Sequence, residues 1–192
     1  MLPQFNIEMK DIVQTVGINK MMTVRDRMAI VALLKDIKAR RVIEFGVHEG
    51  FTAKVVLDNV PSVESYIGID VPISHTPNLE RQCHEIPSEP GKYVKSDARF
   101  RVIVKEGGSF AVAPSDIGSA DAALIDGDHS AIAVTNDTAV ARSCVRLGGI
   151  LIWHDYWHGD ETEVKPTLEK WEKNGHRIFH VPGTWIAFER VQ

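Results

Sequence analysis

The chain alternates between two hydrophobic periods. Short β-branched runs recur, and stretches with apolar residues on one helical stripe lie between them. Thr23-Val24-Arg25-Asp26 has the Ser/Thr-x-x-acid form of a helix start. Ile30, Leu33, Leu34 and Ile37 follow at helical spacing, so a helix is expected to about Ala39. Arg41–Phe45 reads as the first strand, followed by a glycine-bearing turn and a helix that Pro61 stops. Tyr66–Asp70, Phe100–Val104, Ala122–Asp126 and Ile150–Trp153 read as further strands. A helix is expected from about Ser130 to Arg146, ended by Gly148-Gly149, and another from Pro166 to Gly175. Arg177–Val181 and Trp185–Glu189 flank Pro182-Gly183-Thr184 as a closing hairpin.

Strands alternating with helices imply a mostly parallel sheet covered on both faces. The expected fold is α/β, a Rossmann-like doubly wound seven-stranded sheet whose last strand is antiparallel. Residues 1–192 are read as one domain with an N-terminal extension over 1–23. The segment 71–98, broken by Pro72, Pro77, Pro87 and Pro90, is read as a lid or insertion, because long loops in compact domains are usually functional.

Composition narrows the functional classes. A formal charge of −4 and a pI of about 6.1 give no global attraction for nucleic acid or an anionic membrane. No stretch has the length of a membrane-spanning helix, and the N-terminus lacks a signal-peptide pattern. Cys83 and Cys144 fit no metal spacing; Cys144 is expected in the core and Cys83 as a free thiol. A cytoplasmic protein acting on a small molecule, without nucleic-acid or membrane partners and able to form a homodimer, is the expectation.

The chemistry concentrates after the first strand. Glu44-x-Gly46-x-x-x-Gly50 joins a strand to a helix. Gly46 permits a tight turn and a close approach to bare backbone, and Gly50 lets the helix begin close to the strand. A helix N-terminus offers unpaired N–H groups to a carboxylate, and Glu44 can accept from an ammonium group. Asp70 ends the second strand, where an acid binds ribose hydroxyls in Rossmann-like sites. The glycine spacing differs from the G-x-G-x-x-G of dinucleotide enzymes, which counts against a NAD-dependent dehydrogenase and favours an adenosyl amino acid.

Together Arg41–Phe51, Tyr66–Asp70, Ala122–Ser130 and Leu147–Tyr156 resemble the class I S-adenosylmethionine-dependent methyltransferases. Ile125-Asp126-Gly127-Asp128-His129-Ser130, followed by His154-Asp155-Tyr156, resembles the small bacterial O-methyltransferase-like group. The resemblance implies methyl transfer from S-adenosylmethionine to a small acceptor, with a hydroxyl oxygen as the expected nucleophile. It implies that Glu44, Gly46, Val47 and Gly50 form the turn at the methionine end, that Asp70 binds the ribose, and that Ser109 lies near the adenine. Asp126, which also counts among the cofactor contacts, and His129 then belong to the methyl-transfer end. Where many relatives carry small residues, this turn has Val47-His48-Glu49, so His48 and Glu49 either crowd the cofactor or face solvent. The alternative is a catalytically inactive S-adenosylmethionine-binding module.

Asp126 and Asp155 follow strands expected to be neighbours, about 4.8 Å apart, so their carboxylates can converge on one point. Such oxygen ligands suit Mg²⁺ or a similar hard cation, with His154 or Asp128 as a third ligand. Related O-methyltransferases hold and acidify a substrate hydroxyl with such an ion. His129, with an ordinary imidazole pKa of about 6.5, is the expected base, and Asp126 and Asp155 complete the catalytic set. Each of these residues also has a plainer reading. Glu44 can be a buried acid, Asp128 a helix cap, His129 a packing residue and Trp157 either core or a platform for a flat ring.

Overall fold

The computed structural model describes residues 1–9, 21–157 and 161–192. His158 and the side chain of Cys83 lie outside the described residues. A single seven-stranded sheet runs through the molecule in the order β3-β2-β1-β4-β5-β7-β6. The strands are β1 (Arg41–Phe45), β2 (Ser65–Asp70), β3 (Phe100–Val104), β4 (Ala120–Ile125), β5 (Val145–Trp153), β6 (Ile178–His180) and β7 (Ala187–Arg190). β1 pairs in parallel with β2 and β4, while β7 runs antiparallel to both β5 and β6. This is the expected doubly wound arrangement with its antiparallel last strand. Residues at the N-terminus extend the sheet: Phe5 donates its N–H to His180 O at 2.9 Å, and His180 N donates to Pro3 O at 2.8 Å.

Helices α1 (Val24–Asp36) and α2 (Phe51–Asn59) cover one face, with α3 (Pro114–Ile117), α4 (Ala131–Cys144) and α5 (Val164–Lys173) on the other. The capping box is present: Asp26 N donates to Thr23 Oγ1 at 3.1 Å, and Thr23 N donates to Asp26 Oδ2 at 3.1 Å. Strand alternation divides the core. Val42 packs toward α1 and α2, whereas Ile43 and Phe45 pack toward α4. Cys144 is buried at the end of α4.

Several boundaries differ from those expected. β5 begins at Val145 rather than Ile150, because a bulge opposite Ala120–Ala122 lets the chain pair before the glycines. α5 begins two residues before Pro166. Two short elements, a 3-10 turn at Gly108–Ala111 and α3, add to the expected set. They are too brief to leave a periodic signal.

Candidate functional site

The carboxyl ends of β1, β2, β4 and β5 open onto a cavity of ≈ 590 Å³. β1 pairs with both β2 and β4, so the order reverses there, which is where open α/β sheets bind ligands. Gly46, Asp70, Ser109, Asp126, His129 and Asp155 all line it. Glu44, Val47 and Gly50 stand off its wall.

Strand alternation explains Glu44. Its side chain shares the face of Val42, is 2% exposed, and receives the Tyr66 hydroxyl at 3.0 Å. Burial, reinforced by the nearby Asp126 charge, raises its pKa well above the carboxylate range. Val47 packs over Gly68, where a Cβ would lie 2.8 Å from it. Gly50 admits Gly91 and Val94 of the 71–98 segment. Gly46 serves protein packing: at φ +81, its Cβ would lie 2.2 Å from the Asp126 carbonyl oxygen. Thus the first turn is fitted to the loop after β4 rather than to open space. Of the two unusual turn residues, His48 lines the cavity at φ 49, whereas Glu49 lies 3.8 Å from Lys92 Nζ.

At one end of the cavity, Asp70 accepts His48 N–H on Oδ2 at 2.7 Å and Val71 N–H on Oδ1 at 2.8 Å. Each oxygen keeps a second lone pair for a hydroxyl.

At the other end the charged groups meet. Asp126, His154 and Asp155 bring one ligand atom each within 4.8 Å of one another. His154 Nδ1 lies 3.0 Å from both Asp126 Oδ1 and Asp155 Oδ2, while its Nε2 faces Asp26 Oδ2 at 3.5 Å. Asp26 is therefore more than a helix cap; its other oxygen receives Trp185 N–H at 2.8 Å. Burial opposes a charge on His154, yet Asp126 and Asp155 outweigh it and push its pKa well above the imidazole range. Burial likewise opposes charge on Asp155, but His154 and His129 hold it well below the carboxylate range.

His129 Nε2 stands 3.0 Å from Asp155 Oδ2 and 3.8 Å from Asp126 Oδ1. Burial disfavours its charge, but Asp155 and then Asp126 push its pKa up to about 10. The ring therefore differs from the ordinary imidazole expected from sequence. Gln82, on the 3-10 helix Glu80–His84, grips it from the far side. Its Oε1 accepts His129 N–H at 2.9 Å, which turns its amide Nε2 toward ring Nδ1 at 3.1 Å. The same Nε2 donates to Glu85 Oε2 at 3.0 Å and to Gly127 O at 3.3 Å, so the amide braces the ring on the side away from Asp155. Asn78 N–H donates to Asp128 Oδ2 at 2.7 Å, and Asp128 Oδ1 accepts Ser130 N–H at 2.9 Å. The 71–98 segment thus forms a wall of the cavity and ties itself to the Asp126–Ser130 loop.

Sequence reading missed Gln82, Asp26 and Asp137 as parts of the site. Asp26 carried a signal, but capping accounted for it. Gln82 and Asp137 stood in segments whose spacing said nothing about a ligand.

Trp157 is 44% exposed, stacks on His180 with ring centroids 5.7 Å apart, and has Lys165 Nζ 4.3 Å above its ring. Among the described residues it is not part of the cavity wall. No helix among them is long and apolar enough to cross a membrane.

Solved structures share this architecture. The S-adenosylhomocysteine-bound methyltransferase PaMTH1 of Podospora anserina superposes with a TM-score of 0.60 at 13% identity, over 90% of this chain and 80% of that one. The O-methyltransferase TomG of Streptomyces achromogenes, solved with S-adenosylmethionine, gives 0.59 at 12% identity over 88% and 81%. The MycE methyltransferase of the mycinamycin pathway, solved with Mg, S-adenosylhomocysteine and mycinamycin VI, gives 0.53 at 18% identity over 83% and 47%. No curated protein sequence matches the chain significantly. A methyltransferase-domain family profile matches residues 43–156, from β1 through the Asp155 loop. The chain therefore belongs to the methyltransferase-domain family and carries the fold of the class I S-adenosylmethionine-dependent enzymes.

Proposed function

We propose that the protein transfers the methyl group of S-adenosylmethionine to an oxygen of a small-molecule acceptor. The observation that carries this reading is a single cavity joining Asp70, at the end of β2, to a cluster of Asp126, His129 and Asp155. The cavity's charge agrees with it. Its described lining carries seven carboxylates (Asp70, Glu85, Asp126, Asp128, Asp137, Asp155 and Glu161) and no lysine or arginine. Such a wall suits a ligand bearing an ammonium and a sulfonium and opposes a polyphosphate.

When bound, S-adenosylmethionine supplies a methyl group on a positively charged sulfur that leaves as a neutral thioether. The chain's own residues position and deprotonate. Asp70 holds the ribose hydroxyls, Gly46 closes the wall beneath the chain of the ligand, and Ser109 meets the base. Glu44, Val47 and Gly50 act behind the wall by fixing the turn. The acceptor oxygen is held at the Asp126–His129–Asp155 end, for in-line attack on the methyl carbon, and positioning there contributes most of the acceleration. Its proton passes to the Asp126–His129–Asp155 cluster.

The donor set fits a divalent cation. Asp126 and Asp155 offer hard oxygens and His154 offers Nδ1, with Asp26 placed behind Nε2 as such ligands require. Those three residues would hold the ion, which would supply Lewis acidity to the acceptor hydroxyl. In this reading the enzyme works in the cytoplasm, where the unpaired thiol of Cys144 is stable.

The test is calorimetric titration with S-adenosylmethionine and S-adenosylhomocysteine, with NAD as control, in Mg²⁺ and in EDTA. Micromolar binding of both adenosyl compounds and none of NAD is expected, followed by turnover of hydroxylated acceptors. Absence of adenosyl binding overturns the proposal. Tight binding without turnover of any acceptor class moves the assignment to a binding module. Full turnover in EDTA removes the cation.

A further inference from the structure

His129 sits in a short link, residues 126–129, between the end of β4 and the Ser130 cap of α4. Gly127 gives the backbone of that link extra freedom. Both main-chain polar groups of His129 are met by other segments. Gln82 Oε1 accepts its N–H at 2.9 Å, and its carbonyl accepts Glu163 N–H at 2.9 Å. The ring is gripped on two sides as well. Asp155 Oδ2 faces Nε2 at 3.0 Å, and Gln82 Nε2 faces Nδ1 at 3.1 Å. Gln82 also donates to Gly127 O at 3.3 Å, so one amide holds the link at two residues. It is 6% exposed, and Glu85 Oε2 steadies it at 3.0 Å. A carboxamide suits this place. It accepts from one main-chain N–H and donates to the carbonyl two residues earlier, which neither a carboxylate nor an ammonium does alone.

We infer that Gln82 is a positioning residue, which fixes the 126–129 link from the 71–98 segment and thereby holds the His129 ring against Asp155. The Asp155 contact secures one ring nitrogen and leaves the ring free to pivot about it. Gln82 removes that freedom by holding the main chain and the opposite nitrogen together. The 71–98 segment is thereby part of the scaffold of the Asp126–His129–Asp155 cluster as well as a wall of the cavity. The consequence for turnover rests on the methyl-transfer reading above, whereas the placement of the ring does not.

The experiment compares the wild type with Gln82→Met, which keeps the length of the side chain and removes its hydrogen bonds. Ring ¹H–¹⁵N spectra of protein labelled at histidine are recorded at one pH, the His129 signals being those lost in His129→Asn. The wild type should give one sharp set. In Gln82→Met that set should broaden or double, while those of His176 and His180 stay in place. An unchanged His129 set overturns the inference. Turnover of a hydroxylated acceptor supplies the second readout. The kcat should fall by about a hundredfold, as expected for a misplacement of about 1 Å, with KM and the affinity for S-adenosylhomocysteine nearly unchanged. A raised KM with kcat retained would show that Gln82 only props the wall, and overturns the positioning role. If adenosyl compounds do not bind, the functional reading falls, and the ring spectra alone decide whether Gln82 places His129. Should Gln82→Met not fold, Gln82→Asn, which draws the amide back by one methylene, is read in the same way.

Discussion

Asp137 makes its own stability prediction. Its folded pKa of about 6 exceeds the ordinary value of 3.8, so the folded chain holds this proton more tightly than the unfolded one. Its contribution is fully present below pH 3.8 and is lost as pH rises through about 6. Asp137→Asn keeps the shape and removes the buried charge. It should therefore stabilise the protein at pH 7.5 by up to about 3 kcal/mol, since one pKa unit corresponds to about 1.4 kcal/mol. The gain should shrink toward zero near pH 4. Urea unfolding of both proteins across this range checks it; a pH-independent difference would show that the charge is not the cause. Asp70 gives a complementary test on binding. Asp70→Ala should weaken S-adenosylhomocysteine by about 1.5–3 kcal/mol through lost hydrogen bonds to a charged group, measured by calorimetry.

At the scale of elements, the glycine turn after β1 is a joint between two loops. Gly46→Ala adds left-handed strain at φ +81 to a 2.2 Å overlap with the Asp126 carbonyl, and should cost about 2–5 kcal/mol. Gly175→Ala, at φ +99 with nothing within 4 Å of its Cβ, should cost only the backbone strain of about 1–2 kcal/mol. Thermal unfolding of the two variants separates these contributions, and equal losses would refute the joint. This turn shows what sequence could convey. Gly46 and Gly50 were legible as positions that need no side chain, because left-handed backbone is a local property. Their contacts were not, because Asp126 and Gly91 lie far along the chain. The succession of strands and helices and the antiparallel close were legible from periodicity and the Pro182-Gly183-Thr184 turn. The raised pKa of His129 was not, since it depends on carboxylates delivered by two different strands. Gln82 lay in a segment without period, and only tertiary contact shows that it meets His129.

For the whole molecule, the location of charge matters more than its sum. The net −4 is modest, but the cavity gathers acids without a lysine or arginine among its described lining. Phosphate-bearing cofactors should therefore fail to compete. NAD or coenzyme A at about a hundredfold excess should leave the S-adenosylhomocysteine isotherm unchanged at low salt, where electrostatic repulsion is least screened. Displacement by either would show that the acids are neutralised or turned away.

The pairing of Pro3–Phe5 with β6 has a consequence for self-association. An uncovered strand rim is a template on which other chains can stack, and proteins commonly blunt such rims with a short covering segment. Here the N-terminal residues blunt the β6 rim, while β3, the opposite rim, keeps Val102 and Val104 partly open to water. Unwanted growth of the sheet is thereby biased toward one side of the molecule, and solubility engineering would begin with a charged residue at Val102.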